Sequence, residues 1–99
     1  MRVMMKASFP VEAGNRAIAD GTIAKTIQSA FESLKPEAAY FFPEGGKRTA
    51  LFVFDLVDAS QIPVVAEPLF MGMNASVDII PVMNIDDLKK GLGQMAKRM

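Results

Sequence analysis

The polar side chains that alternate with apolar ones along the predicted strands are the residues best suited to chemistry. Lys6 and Asp78 lie in segments that we expect to form neighbouring strands, with both side chains facing one space. There a desolvated lysine acts as a base or binds an anionic ligand, with Asp78 orienting it. The alternative is an ion pair that satisfies two charges inside an interface.

Tyr40 and Thr49 complete this candidate ligand site. Tyr40 is the only tyrosine, and its hydroxyl is able to orient a carbonyl or a phenol; a lone tyrosine is also a common interface residue with its tip in water. Thr49 is expected on the same side of the predicted sheet. The ligand-binding residues predicted from the sequence are therefore Lys6, Tyr40, Thr49 and Asp78, and no catalytic residue is assigned.

Composition excludes several kinds of site and partner. The chain contains no cysteine and no histidine, so it has no thiol nucleophile, no disulfide and no imidazole base or metal ligand. We expect neither a bound metal nor a cofactor, and the sequence leaves open whether the protein is an enzyme. Eleven basic residues balance eleven acidic ones, which argues against nucleic acid as a partner.

The hydrophobic pattern predicts a cytoplasmic protein without a membrane partner. The start of the chain alternates polar and apolar residues and lacks the apolar stretch of a signal peptide. No apolar run reaches the roughly 18 residues that a membrane-spanning helix needs. The length of 99 residues predicts a single domain over residues 1–99.

A β-hairpin over residues 38–56 is the element around which the rest is arranged. Its predicted strands are Ala38–Pro43 and Arg48–Leu56, joined at Gly45-Gly46. A two-residue turn at these glycines places Phe42 opposite Thr49 and Tyr40 opposite Leu51. Both faces of the hairpin are then largely apolar.

The flanking segments supply two more strands and the helices. A strand is predicted from Arg2 to Phe9, and a helical stretch from Val11 to Leu34 is interrupted at Asp20-Gly21-Thr22. Asp58 and Gln61 have the spacing of a capping box for a helix from Ser60 to about Met71. A strand at 75–82 and a last helix after Asn84 complete the chain.

This order predicts an α+β fold of the ferredoxin-like βαββαβ type with an extra C-terminal helix. Right-handed crossovers place the first and third strands in the centre of a four-stranded antiparallel sheet. The helices then cover one face. The other face carries an apolar set that implies a partner, most simply a second copy: Met4, Tyr40, Phe42, Leu51, Val53 and Ile80.

The chain resembles the dimeric α/β-barrel superfamily, which includes muconolactone-isomerase-like proteins. The resemblance rests on the order and length of the elements, and on a strand that ends in Ile80-Pro81-Val82 before a helix that opens with Asn84-Ile85-Asp86-Asp87-Leu88. It implies a homodimer in which two sheets close a barrel around a shared interior. No catalytic residue is carried over, because none of the functional motifs of those enzymes is present.

Two functions follow as hypotheses. In the first, the homodimer binds an apolar or weakly acidic small molecule between sheet and helices, near Lys6, Tyr40 and Asp78. This hypothesis predicts a cavity of several hundred Å³ on the open face, since ligand sites commonly measure about 300–1,000 Å³. In the second, the protein is a non-catalytic dimerisation or protein-interaction module without a ligand, and apolar side chains fill that space.

Overall fold

A computed structural model describes the whole chain, residues 1–99. The predicted order of elements is confirmed, including the break that divides the first helical stretch. None of the helices combines the length and the apolarity needed to cross a membrane. The elements are β1 (Arg2–Ser8), α1 (Val11–Ala19), α2 (Thr22–Leu34), β2 (Ala38–Glu44), β3 (Lys47–Asp55), α3 (Gln61–Met73), β4 (Ser76–Pro81) and α4 (Ile85–Lys97).

The strands form one antiparallel sheet in the order β2-β3-β1-β4. The prediction that the first and third strands occupy the centre is confirmed. This α+β arrangement is compatible with the ferredoxin-like plan, and the sheet is open, with β2 and β4 as its edges.

The turn between β2 and β3 fixes the register of the hairpin. Gly45 and Gly46 have φ angles of 60° and 76°. Both lie in the left-handed region that glycine adopts without steric cost and that a two-residue hairpin turn requires. Tyr40 is consequently paired with Leu51 and Phe42 with Thr49, as the sequence predicts.

The core lies between the sheet and the helices α1, α2 and α3. Alternate residues of the central strands face it, and Val3, Met5 and Phe54 are almost completely buried. Phe52 lies at its centre and makes edge-to-face contacts with Phe31 of α2, at 5.7 Å between ring centroids, and with Phe41 of β2, at 5.8 Å. Such pairs add to the stabilisation from apolar burial.

The prediction that Asp58 caps α3 is wrong. The helix begins at Gln61 after Ser60, and no side chain caps it. The carboxylate of Asp58 instead accepts hydrogen bonds from the backbone N–H and the hydroxyl of Ser60. Asp58 therefore closes a local turn before the helix starts. The helix α3 continues through Pro68 to Met73, and Asn74 after it lies in the left-handed region.

The C-terminal helix α4 projects from the rest of the molecule. None of its residues is buried. The radius of gyration is 16.0 Å, whereas a compact domain of this length has a value of about 13 Å. The long dimension of 56 Å also exceeds the roughly 30 Å that a nine-residue strand spans. The elongated shape follows from α4, which extends beyond the end of the sheet.

Candidate functional site

The surface of the sheet that the helices leave uncovered, which we call the open face, holds all four of the predicted site residues. Pairing of β1 with β3 and β4, and of β2 with β3, places Lys6, Tyr40, Thr49 and Asp78 on this side. The same pairing places there the whole apolar set predicted from the sequence: Met4, Tyr40, Phe42, Leu51, Val53 and Ile80. Of these, Tyr40 is 62% exposed and Ile80 is 48% exposed.

Lys6 faces Asp78 across the β1–β4 pair, but its ion pair is with a different carboxylate. The Lys6 Nζ donates a hydrogen bond to Glu44 Oε1 at 2.5 Å. The hydrogen bond and the charge of Glu44 raise the pKa of Lys6, and the charge of Asp78 adds a smaller contribution in the same direction. A raised pKa keeps Lys6 protonated, so the amine is suited to holding an anion and not to accepting a proton.

Tyr40 and Thr49 do not converge with Lys6 on a common point. Leu51 lies between Tyr40 and Lys6 in the register. Thr49 is only 3% exposed, and its hydroxyl donates to the Lys47 carbonyl at 3.2 Å. None of the three principal cavities of the structure is lined by Lys6, Tyr40 or Asp78. The open face is therefore a surface with an apolar centre and not a formed pocket.

The basic side chains that β1 presents on the open face have acidic partners from the same chain. Arg2 donates to Glu37 and, through Nη1, to Asp87 Oδ2 at 2.9 Å. Lys6 is paired with Glu44 as described above. These basic groups already have acidic partners. Burying the open face under an apolar surface therefore carries a smaller desolvation penalty than burying unpaired ions would.

A second candidate site lies on the opposite side of the sheet, in a cavity of about 420 Å³ between α2 and α3. Met5 of β1 contributes to its lining. The α2 side carries Thr26, Ser29, Ala30, Ser33 and Leu34, with Lys25 at the edge, and the α3 side carries Gln61, Val64, Val65, Pro68 and Leu69. Lys25 takes part in none of the ion pairs of the structure.

The sequence carries two signals for this cavity, and neither was sufficient to predict it. Within α3, only Gln61 and Glu67 have polar side chains, which is unusual for a helix with one side in water. In α2, the small residues Thr26, Ser29 and Ser33 recur at a spacing of three and four, so one side of that helix carries only short side chains at these positions. The gap between the two helices depends on how each packs on the sheet, which the local pattern does not specify.

Comparison with known proteins adds no assignment. The chain matches no protein-family model and no curated protein. The features that bear on its function are the open face, the α2–α3 cavity and α4.

Proposed function

We propose that this protein is a homodimeric association module of the dimeric α/β-barrel type, in which the open faces of two copies pack against each other. The observation that carries the proposal is the apolar centre of the open face. An antiparallel sheet with helices on one side normally presents polar residues to water on the other. Here Met4, Leu51 and Val53 occupy the central strands of that side.

Packing of two open faces buries apolar area that the single chain leaves in water. Fully burying a Val, Leu, Ile, Phe or Met side chain contributes about 1.5–3 kcal/mol. Leu51 and Val53 are half-buried in the single chain, so each still has part of this free energy to gain. Contiguous apolar patches of this kind mark interaction surfaces in soluble proteins.

A second copy fits this surface better than an unrelated partner does. Two-fold symmetric interfaces use the same patch on both subunits, so an apolar patch is complementary to itself. The formal net charge of the chain is zero, so two copies do not repel each other through their overall charge. Within each copy, Lys6 is paired with Glu44 and Arg2 with Glu37. These pairs reduce the repulsion between basic side chains of the two facing copies.

Sedimentation equilibrium of the full chain at micromolar concentration tests the proposal. The mass of one chain is 10.8 kDa, and the expected result is twice that value, with a monomer appearing only on dilution. A single species at the mass of one chain throughout the concentration series would overturn the proposal.

The α2–α3 cavity supports a second candidate function, the binding of an apolar or weakly acidic small molecule between sheet and helices. Its volume of about 420 Å³ lies within the range of about 300–1,000 Å³ of small-molecule sites. One side offers the hydroxyls of Thr26, Ser29 and Ser33, and the unpaired ammonium of Lys25 is placed to meet a carboxylate. The side formed by α3 is mainly apolar. A ligand with an aliphatic body and one acidic end matches a cavity that is apolar on the α3 side and polar on the α2 side.

Thermal unfolding with decanoate and with decanol as probes tests this candidate. We expect decanoate to raise the melting temperature of the protein and of Gln28→Phe, whose side chain lies outside the cavity lining. Ser29→Phe, which fills the cavity, should abolish the increase. Equal stabilisation by decanol would remove Lys25 from the site, and stabilisation of Ser29→Phe equal to that of Gln28→Phe would place the ligand elsewhere.

A further inference from the structure

The apolar stripe of α4 has no partner within its own chain. The stripe consists of Ile85, Leu88, Leu92 and Met95 in the helix and of Met99 just after its end, and their exposed fractions are 62%, 39%, 50%, 52% and 95%. No other element packs extensively against α4, and none of its residues is buried. Large apolar side chains along a projecting helix indicate a surface that an assembly covers.

The spacing of the stripe identifies the kind of surface that fits it. The five positions follow each other at three, four, three and four residues, which is the a/d pattern of a coiled coil. A helix that docks on a sheet normally carries a wider stripe with e or g positions added. In α4 the positions beside the stripe are Lys89, Gly91, Ala96 and Arg98. The stripe therefore fits one other helix, and small residues at its middle permit a close approach.

The start of α4 is held in a fixed direction. The Asn84 side chain accepts from the Asp87 N–H at 2.8 Å, and the Asp87 carboxylate accepts from the Asn84 N–H at 3.1 Å. The same carboxylate accepts from Arg2 at 2.9 Å, which ties α4 to β1. Further along, Gly91 and Gly93 weaken the helix relative to alanine at the same positions. A helix that is short and contains two glycines needs packing to hold it.

In the proposed homodimer, the position of α4 beyond the end of the sheet allows it to approach the same helix of the second copy. Arg2, which holds Asp87, lies on the open face. From there α4 extends beyond the end of the sheet and lengthens the molecule to 56 Å. A two-fold axis along this long dimension, beside the open face, places the two sheets face to face. The same axis brings both α4 helices to one end and makes them run parallel.

We propose that α4 forms a short parallel coiled coil with α4 of a second copy. Leu92 of one copy then meets Leu92 of the other in an a layer, Leu88 meets Leu88 in a d layer, and Gly91 faces Ala96. Lys89 faces Asn84, so no like charges oppose each other beside the seam. The inference rests on the proposed homodimer, because two heptads are too short to associate on their own.

Disulfide trapping in the full chain tests the arrangement, and the absence of any native cysteine makes each introduced thiol unambiguous. Leu92→Cys places a thiol in the seam, and Gln94→Cys places one on the same helix outside it. Under mild oxidation at micromolar concentration, Leu92→Cys should form a covalent dimer rapidly and almost completely. Gln94→Cys should remain largely unlinked. The Leu92→Ala variant should raise the Kd of the dimer by about tenfold or more, whereas Gln94→Ala should leave it unchanged.

The outcomes separate this inference from the proposed function. If the chain sediments as a dimer but Leu92→Cys links no faster than Gln94→Cys, the coiled coil is wrong and the packing of the sheets stands. That result is also the one expected if α4 folds onto its own sheet or docks elsewhere on the second copy. If the unmodified chain sediments as a monomer, both proposals fail together.

Discussion

Replacing Leu51 by lysine should dissociate the proposed dimer while leaving the fold of each copy intact. Leu51 lies on β3 between Tyr40 and Lys6, near the centre of the open face. Its side chain lies on the side of the sheet away from the core cluster, so the substitution leaves the packing of that cluster in place. The substitution introduces an ammonium beside that of Lys6 in each copy.

The size of the effect follows from what Leu51 has left to bury. Leu51 is half-buried in the single chain, so the dimer gains about 1 kcal/mol for each copy when the rest is covered. An additional unpaired ammonium in the interface costs at least about 1 kcal/mol for each copy, and more if water is excluded. The total of about 4 kcal/mol corresponds to a roughly thousandfold increase in the Kd of the dimer.

Sedimentation equilibrium of Leu51→Lys beside Met71→Lys measures this effect. Met71 lies in α3 on the opposite side of the sheet and is 82% exposed, so it gives a matched lysine outside the interface that should leave the Kd unchanged. Far-UV circular dichroism checks that both variants remain folded. A folded Leu51→Lys protein with the Kd of the parent would refute the placement of the open face in the interface.

Three further predictions concern the core, the cap of α4 and the turn before α3. Met5→Ala should lower the free energy of unfolding by about 2–5 kcal/mol because Met5 is 1% exposed. The control Met71→Ala, at a residue that is 82% exposed, should change it by less than about 0.5 kcal/mol. Urea unfolding at fixed protein concentration measures both changes, and equal effects would contradict the assigned core. Asn84→Ala removes the capping box and about 1 kcal/mol of helix stability, so amide exchange at the first turn of α4 should accelerate; an unchanged rate would show that the cap does not hold the helix. The hydrogen bonds from the side chain and backbone of Ser60 lower the pKa of Asp58; the stability they provide is present above the usual carboxyl pKa of about 3.9 and is lost as the pH falls through the lowered value. An NMR titration of the Asp58 carboxyl carbon with a midpoint at or above the usual value would contradict this.

The parts of the fold that the sequence predicted are those set by strong local signals. Gly45 and Gly46 readily adopt the left-handed backbone that a two-residue turn requires, and this turn sets every pairing of β2 with β3. The burial of alternate residues of β1 followed from its period of two. The break before α2 followed from Gly21, which has a φ of 78°.

The parts that were missed depend on competition between partners that are distant in sequence. Lys6 has two carboxylates within reach of its charge, and the geometry of the sheet, not the pattern of β1, selects Glu44 over Asp78. At the start of α3, Asp58 has the spacing of a capping residue, but its carboxylate bonds Ser60 before the helix begins. The projection of α4 has no local signal, because the direction in which a helix leaves the sheet is set by its tertiary contacts and not by its own residues.

The most direct test of the central claim is isotope-filtered NMR on a mixture of labelled and unlabelled full-length chains. If the open faces of two copies meet, the methyl groups of Leu51 and Val53 should show intermolecular nuclear Overhauser effects to Met4 or Ile80 of the other copy. Methyl groups of the core, such as that of Met5, should show only intramolecular ones. A spectrum in which Leu51 and Val53 show no intermolecular effect would contradict the account.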